Sequence, residues 1–209
     1  MPRTPDTVVF DIGNVLIRWD PRALYREIFP DPQEMAYFLE VVCPPEFNLS
    51  LDRGRSFKDG IAERLALHPE HAEAITAWDE RWQEMVPGAI TESVALLQDL
   101  READVPLYAI TNFSREKFAE CEIRFPFLKE SFADVVVSAH EGVVKPDPAI
   151  YEVLFSRNAL VPEQTIFIDD SAANVAAARE FGMHAHHFIG ADGLRAVLEE
   201  HGFPLAQRG

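Results

Sequence analysis

Three acidic residues directly follow strand-like apolar runs in this 209-residue sequence. Asp11 comes after the run Thr7 to Phe10, and Asp169 and Asp170 come after the run Thr165 to Ile168. Open α/β sheets bind ligands at the carboxyl ends of their parallel strands. Carboxylates at such an edge can attack an electrophile, and their oxygens suit a hard cation. The spacing therefore predicts one acidic site at the edge of a sheet.

Uncharged and basic side chains are expected at the same edge. Thr111 and Asn112 follow another strand-like run, and Lys145 precedes Pro146 and Pro148 in a rigid segment. A lysine ammonium beside carboxylates neutralises them and also binds a phosphoryl oxygen. Thr and Asn also cap helices, but a capped helix N-terminus exposes N–H groups that bind phosphate, so the two interpretations overlap.

Strand-like segments alternate with helix-like segments through most of the chain. The predicted strands are Thr7 to Phe10, Leu107 to Ile110, Asp134 to Val137, Thr165 to Ile168 and, more weakly, His184 to Ile189. Helical periodicity covers Glu92 to Ala103, Ala149 to Phe155 and Asn174 to Phe181. Strands of nearly continuous apolar character are typical of parallel sheets covered on both faces. We therefore expect an α/β fold with a Rossmann-like, doubly wound parallel sheet.

A helical segment after the first strand interrupts this alternation. Helical patterns occur at residues 23–29, 34–39, 61–67 and 74–82, with no convincing strand between them. Trp19, Trp78, Trp82 and Arg81 are expected in its core or on its surface. Arg53 and Arg55 are candidates for reaching a substrate from it.

Composition narrows the classes of partner. The formal charge of −16 repels nucleic acid and anionic membranes, so neither is expected as a partner. The sequence lacks the roughly 20 consecutive apolar residues of a membrane span. No export signal precedes the first strand, and two cysteines make a poor disulfide framework. We expect a cytoplasmic protein of unknown oligomeric state.

Together these segments resemble the haloacid dehalogenase superfamily. The matching pieces are Phe10-Asp11-x-Gly-Asn-Val, Ile110-Thr111-Asn112, Lys145-Pro146 and Ile168-Asp169-Asp170-x-x-x-Asn174, in the family's order. The Asp-x-Gly-Asn-Val sequence resembles a branch that includes sugar-phosphate phosphatases. The resemblance implies that residues 1–16 and 87–209 form the catalytic core and that residues 17–86 form a small helical cap.

The resemblance also implies a role for each catalytic residue. Asp11 would be the nucleophile, and Thr111 would bind phosphate with Asn112 beside it. Lys145 would orient both Asp11 and the phosphoryl group of the substrate. The implied reaction is hydrolysis of a small phosphorylated metabolite through an aspartyl phosphate.

A Mg²⁺ cofactor is part of the same resemblance. Its implied ligands are Asp11, the backbone carbonyl of Gly13 and Asp170. Asp169 belongs to the same acidic pair and, with Asn174, would support the site from behind. Mg²⁺ takes few protein oxygens and shares the substrate phosphate, which fits this set.

Gly13 departs from the pattern of the superfamily, whose phosphotransferring members usually carry a second aspartate there as general acid and base. One alternative is a metal-free haloacid dehalogenase, because a displaced halide needs no proton. The retained pair Asp169 and Asp170 argues against that alternative. A second alternative is a catalytically weak relative that binds a metabolite. If the enzyme is a phosphatase, we expect activated esters as substrates, or a water near Asn14 in place of the missing acid.

Overall fold

A five-stranded parallel sheet forms the centre of the computed structural model, which describes residues 4–206. The strands are β1 (Thr7–Phe10), β2 (Leu107–Thr111), β3 (Asp134–Val137), β4 (Thr165–Asp169) and β5 (His184–His187). Their order is β3-β2-β1-β4-β5. This sheet confirms the predicted Rossmann-like α/β fold. Residues 1–3 and 207–209, which end the predicted core segments, lie outside the described residues.

All five strands begin where the sequence predicts. β2 and β4 each continue one residue further, to Thr111 and Asp169, while β5 stops at His187 instead of Ile189. Ile189 is 84% exposed, so its apolar side chain does not mark a strand residue.

Both faces of the sheet are covered, which explains the continuous apolar character of β1. Val8 and Phe10 belong to one apolar cluster, and Val9 belongs to the other. Successive strand residues point to opposite faces, so both kinds of position need apolar side chains here.

Twelve α-helices surround the sheet in the described residues. They are α1 (Arg22–Ile28), α2 (Pro32–Tyr37), α3 (Pro45–Asp52), α4 (Phe57–Leu67), α5 (Ala72–Glu80), α6 (Thr91–Glu102), α7 (Arg115–Arg124), α8 (Phe127–Glu130), α9 (Ser138–Glu141), α10 (Pro148–Asn158), α11 (Ala172–Glu180) and α12 (Ala191–Glu200). A π-helical turn covers Phe38–Val42, and 3₁₀ turns cover Pro69–His71, Trp82–Met85 and Pro162–Gln164.

The segment between β1 and α6 is helical, as expected. Its only extended pairings among the described residues are two single bridges, which join Ile17 to Gly13 and to Ala89. Leu24 and Trp78 of this segment belong to the same apolar cluster as one face of the sheet. The segment is therefore packed continuously onto the sheet domain.

Candidate active site

The carboxyl ends of three adjacent strands bring the predicted site residues together. Asp11 follows β1, Thr111 ends β2, and Asp169 ends β4 with Asp170 next to it. β1 lies between β2 and β4 in the sheet. These side chains therefore meet at one edge, where the sequence predicts the site.

Lys145 reaches this edge from the segment between α9 and α10 and is 3% exposed. Its Nζ lies 2.8 Å from Asp11 Oδ1 and 2.7 Å from Asp169 Oδ2, and it donates to the Ile110 carbonyl at 2.9 Å. Burial acts to lower the pKa of Lys145, but the charges of Asp11 and Asp169 outweigh it and raise that pKa. Lys145 is thus a fixed cation that joins two carboxylates.

Asn112 holds the backbone of Lys145 in place. Its Oδ1 accepts from the Lys145 N–H at 2.8 Å, and its Nδ2 donates to the Lys145 carbonyl at 3.0 Å. Both polar atoms of the Asn112 side chain are therefore engaged, and its contact with substrate stays a prediction. Thr111 differs, because its buried Oγ1 has no hydrogen-bond partner among the described residues. Thr111 is 1% exposed and is not among the described residues that line the cleft, so a hydrogen bond from its Oγ1 to a ligand oxygen stays a prediction.

Asp11 is held through one carboxylate oxygen. Its Oδ1 accepts from the Ile12 N–H at 2.7 Å and also contacts Lys145. Burial raises the pKa of Asp11 to about 7, and the charge of Lys145 offsets this only in part. Since Oδ1 holds both contacts, Oδ2 is the oxygen left for a substrate or a cation.

Asp169 and Asp170 are placed differently. Asp169 is fully buried, and its oxygens accept from Asn174 Nδ2 at 3.0 and 3.1 Å and from the Ser171 N–H at 2.8 Å, besides contacting Lys145. Asp170 lines the cleft, and its pKa is raised by burial and by the neighbouring charge of Asp169. Asp169 thus organises the site, while Asp170 faces its interior.

The three carboxylates fit the predicted Mg²⁺. Asp11, Asp169 and Asp170 each offer an oxygen within 4.8 Å of the other two. A divalent cation would offset the mutual repulsion of these charges. Both oxygens of Asp169 already accept hydrogen bonds, whereas Asp11 keeps Oδ2 open and Asp170 and Gly13 line the cleft. The metal and its ligand set stay predictions.

A cleft of about 210 Å³ lies beside these groups, and two tryptophans line it. Trp19 and Trp82 stack with ring centroids 5.1 Å apart. Trp82 is buried in the apolar core and Trp19 packs against it, as the sequence analysis expects, and both side chains also face the cleft. The backbone N–H of Trp19 donates to Asn14 Oδ1 at 2.9 Å, so the loop that follows Asp11 fixes Trp19 at the cleft.

The other side chains singled out in the insertion lie away from the cleft. Trp78 is buried as expected, and Arg81 forms surface ion pairs. Arg55 pairs with Glu63, and Arg53 is exposed. Neither Arg53 nor Arg55 is among the described residues that line the cleft.

Two cleft residues of α3, Asn48 and Asp52, were missed by the sequence analysis. Asn48 Nδ2 donates to Asp52 Oδ2 at 2.8 Å, and Ser138 Oγ donates to the Asp52 carbonyl at 2.6 Å. Burial raises the pKa of Asp52 to about 7, which a hydrogen bond from the Ser114 N–H only partly counters. The four-residue spacing of a polar pair on one helix face is the signal that was available.

A sequence model of the haloacid dehalogenase-like hydrolase family matches residues 5–182. The chain belongs to this family. The match includes every predicted site residue of this hydrolase, from Asp11 to Asn174. The narrower branch suggested by Asp-x-Gly-Asn-Val stays a prediction.

A curated relative covers nearly the whole length of this haloacid dehalogenase-like hydrolase. The sesquiterpene phosphatase astK of Aspergillus oryzae is 27% identical over 202 residues, which are 95% of this chain and 96% of that protein. Family membership and this relative establish that the chain is a hydrolase.

Solved structures show the same fold with different chemistries. A haloacid dehalogenase family enzyme of Bacteroides thetaiotaomicron, in complex with magnesium and inorganic phosphate, has a TM-score of 0.66 and 22% identity, over 87% of this chain and 93% of that chain. The L-2-haloacid dehalogenase of Xanthobacter autotrophicus has a TM-score of 0.64 and 18% identity, over 94% and 83%. The fold alone therefore does not determine which reaction this hydrolase catalyses. The residues of its own site must determine it.

The described helices include none with the length and apolar character needed to cross a bilayer. The cytoplasmic location expected from the sequence stays a prediction.

Proposed function

We propose that this hydrolase is a Mg²⁺-dependent phosphatase, which cleaves a small phosphomonoester through an aspartyl phosphate on Asp11. The observation that carries the proposal is the Lys145 ammonium fixed between Asp11 and Asp169, with Asp170 facing the same cleft. A cation held against a nucleophilic carboxylate suits a substrate that brings its own negative charge. The phosphatase relative that matches nearly the whole chain supports the same reaction.

The same proposal divides the chain into two parts. We assign residues 1–16 and 87–209 to the catalytic core and residues 17–86 to a helical cap. This cap contributes Trp19 and Trp82 to the wall of the cleft. Its role is to cover the bound ester and exclude bulk water while the phosphoryl group is transferred.

We assign each residue of the site a step in this reaction. Asp11 Oδ2 attacks phosphorus, so a bond from phosphorus to Asp11 forms and the bond to the ester oxygen breaks. Lys145 holds Oδ1 during this attack, and Thr111 Oγ1 donates to a phosphoryl oxygen. The alcohol leaves with a proton, and water then displaces the Asp11 carboxylate to give inorganic phosphate.

Three groups would hold the cofactor: the Asp11 carboxylate, the Gly13 carbonyl and the Asp170 carboxylate. Bound Mg²⁺ supplies positive charge against the phosphoryl oxygens, where negative charge accumulates.

Substitution of the nucleophile tests the reaction directly. Asp11→Asn keeps the shape of the side chain but removes its nucleophilic oxygen. We expect the release of inorganic phosphate to fall at least about a thousandfold, with an unchanged circular dichroism spectrum. A folded variant that keeps more than about a thousandth of the rate would contradict the assignment of Asp11.

Product analysis separates the phosphatase from its rivals. Inorganic phosphate released only in the presence of Mg²⁺ supports the phosphatase. Chloride released from 2-chloropropionate in the presence of a chelator would instead identify a dehalogenase. A folded wild-type protein that releases neither product from a broad panel would be a metabolite-binding relative.

A further inference from the structure

The wall of the cleft beside the nucleophile is aromatic. Trp19 and Trp82 stack at 28° between ring planes, and the Phe113 ring centroid lies 5.6 Å from that of Trp82. Ile17 and Val86 line the same cleft. Packing of a flat or branched hydrocarbon against such a wall is the most favourable, because burial of apolar area and contacts with the rings both contribute to the binding free energy.

The charges of the cleft disfavour an organic group that carries its own charge. Among the described lining residues, the carboxylates belong to Asp11, Asp52 and Asp170, and Lys145 provides the one ammonium. Lys145 is already paired with Asp11 and Asp169. A carboxylate or a second phosphate on the leaving group would therefore meet negative charge without a free cation.

The amide side chains of the cleft are also engaged. Asn14 accepts from the backbone of the loop that follows it, and Asn48 donates to Asp52. Asn112 exchanges two hydrogen bonds with the backbone of Lys145. The hydroxyls of a sugar would have to compete with the present partners of these amides, which reduces what their hydrogen bonds contribute to binding.

Further space adjoins the cleft on the insertion side. A second cavity of about 390 Å³ shares Trp19 with the cleft, and Leu39 and Trp78 lie on its walls. Arg22 and Glu40 of this cavity are exposed side chains. Trp19 therefore stands between two spaces, and the second has room for the far end of an apolar chain.

We propose that the substrate is the monophosphate of an uncharged, apolar alcohol whose carbon skeleton packs against Trp19 and Trp82. This inference rests on the proposed phosphatase function and specifies its leaving group. It differs from the sugar phosphate suggested by the Asp-x-Gly-Asn-Val resemblance.

A comparison of four esters tests this substrate class. We expect kcat/KM with Mg²⁺ to be at least about tenfold higher for geranyl and phenyl phosphate than for glucose 6-phosphate and methyl phosphate. Trp19→Ala should lower kcat/KM for geranyl phosphate about tenfold more than it lowers kcat/KM for methyl phosphate. Tyr37→Ala is the matched control, because Tyr37 is an exposed aromatic residue of α2 away from the cleft.

The outcomes distinguish an error in the substrate class from an error in the proposed phosphatase function. If glucose 6-phosphate is the better substrate, the apolar substrate class is wrong and the phosphatase stands. If none of the four esters releases phosphate, the phosphatase proposal itself fails. Should Trp19→Ala not fold, quenching of wild-type tryptophan fluorescence by geraniol gives the same information, and an absence of quenching contradicts the aromatic contact.

The leaving alcohol needs a proton, and Gly13 has no side chain to donate it. Asp52 brings a carboxyl group to the same cleft from α3. Asn48 Nδ2 and the Ser114 N–H both donate to this carboxyl group, and Ser138 fixes the Asp52 backbone to the core. These contacts hold a carboxyl group in the cleft without a counter-ion.

The charged groups on neighbouring elements have other partners. Arg55 pairs with Glu63, and Arg115 donates to a backbone carbonyl. Glu141 of α9 pairs with Arg157, and the ammonium of the cleft is held by its own two carboxylates. Burial therefore dominates at Asp52 and raises its pKa to about 7, which leaves a protonated fraction near neutral pH.

We infer that Asp52 donates its proton to the leaving oxygen and, once ionised, accepts a proton from the attacking water. It takes the place of the aspartate that the superfamily usually carries at the position of Gly13. Like the substrate class, this role rests on the proposed phosphatase function.

Esters with different leaving groups test this role. General acid catalysis contributes about 10²- to 10⁴-fold, and most to esters whose alcohol leaves poorly. Asp52→Asn should therefore lower kcat/KM for methyl phosphate at least about a hundredfold, but for 4-nitrophenyl phosphate only about threefold. The wild-type fall in kcat/KM for methyl phosphate above about pH 7 should disappear in the variant.

Two further variants complete the experiment. Asp52→Glu keeps a carboxyl group and should recover part of the methyl phosphate activity, whereas Glu46→Gln on the exposed side of α3 should change neither ester. Equal losses on both esters, with an unchanged pH profile, would mean that Asp52 only docks α3 onto the core. Absence of any activity on 4-nitrophenyl phosphate in the wild type would instead reject the phosphatase.

Discussion

A single lysine carries the electrostatic balance of the site. Lys145 is almost completely buried, and its ammonium contacts the carboxylates of both Asp11 and Asp169. Breaking a buried ion pair by removing one partner is strongly destabilising, because an uncompensated charge remains. The same residue therefore matters for stability as much as for chemistry.

Lys145→Met should lower the free energy of unfolding by about 3–5 kcal/mol at pH 8. The reason is that Asp11, whose pKa burial already raises to about 7, loses the opposing charge of Lys145, so its folded pKa rises further above the unfolded one. As the pH falls, protonation removes the uncompensated negative charge from the folded state. The loss of unfolding free energy in the variant should therefore shrink towards pH 5. Urea unfolding across this pH range measures it, with Lys58→Met, an exposed lysine of α4, as control. A deficit that does not depend on pH would contradict the electrostatic explanation.

Metal titration should show that Asp170 and Asp169 have different roles. Asp170→Ala removes a cleft-facing oxygen, so we expect the Mg²⁺ concentration for half-maximal activity to rise at least about tenfold. Isothermal titration with Mg²⁺ alone should show the same weakening. Asp192→Asn, an exposed acidic residue of α12, is the control. Unchanged Mg²⁺ binding in Asp170→Ala would remove this residue from the ligand set.

At the scale of elements, the strands were predictable because burial on both faces produces continuous apolar runs in the sequence. β1 and β4 are buried at every residue, so their sequences are apolar without alternation. The parallel arrangement then places Asp11, Thr111 and Asp169 at one edge without any further information. Most of the candidate site follows from this rule.

The wall of the cleft was not predictable in the same way. Asn48, Asp52 and Trp82 lie far along the chain from Asp11 and reach the cleft only through the packing of the folded chain, whereas Trp19 is placed by a bond to nearby Asn14. Helical periodicity distinguishes the buried face of a helix from its exposed face, but not a core position from a cleft position. Trp82 illustrates the problem, since it is 4% exposed and still lines the cleft.

The loop between α3 and α4 should tolerate no side chain at Gly54. Gly54 has φ +105°, and a Cβ there would lie 2.9 Å from the Ala139 carbonyl oxygen. Gly142 is a matched control, with φ +73° and no atom within 4 Å of its Cβ position. Gly142→Ala should lose about 1–2 kcal/mol of unfolding free energy from backbone strain alone. Gly54→Ala should lose at least about 3 kcal/mol of unfolding free energy and also lower the proposed phosphatase activity, because α3 is displaced.

Equal losses of stability in the two glycine variants would contradict the close approach of Gly54 to α9. Thermal unfolding and phosphate release measured on the same samples decide between the outcomes.

At the scale of the whole molecule, net charge should govern the encounter with substrate. A protein of formal charge −16 repels a phosphate dianion over the Debye length, which is about 10 Å at 0.1 M salt. We expect kcat/KM to rise as the ionic strength increases at constant Mg²⁺, because screening weakens this repulsion. A fall would show that a locally positive field guides the substrate. The salt series is run with an inert salt whose anion does not compete with phosphate.

The order of the strands also determines when the site can form during synthesis. In β1, Val8 pairs with Leu107 on one side and with Ile166 on the other, and both lie far along the chain. A ribosome adds about 5–20 residues per second, so β1 waits on the order of ten seconds or more for its second neighbour. Although β2 emerges earlier, one edge of β1 stays unpaired until then, and an unpaired apolar edge is prone to aggregation. The central position that gives Asp11 its neighbours therefore leaves β1 incomplete until β4 has emerged.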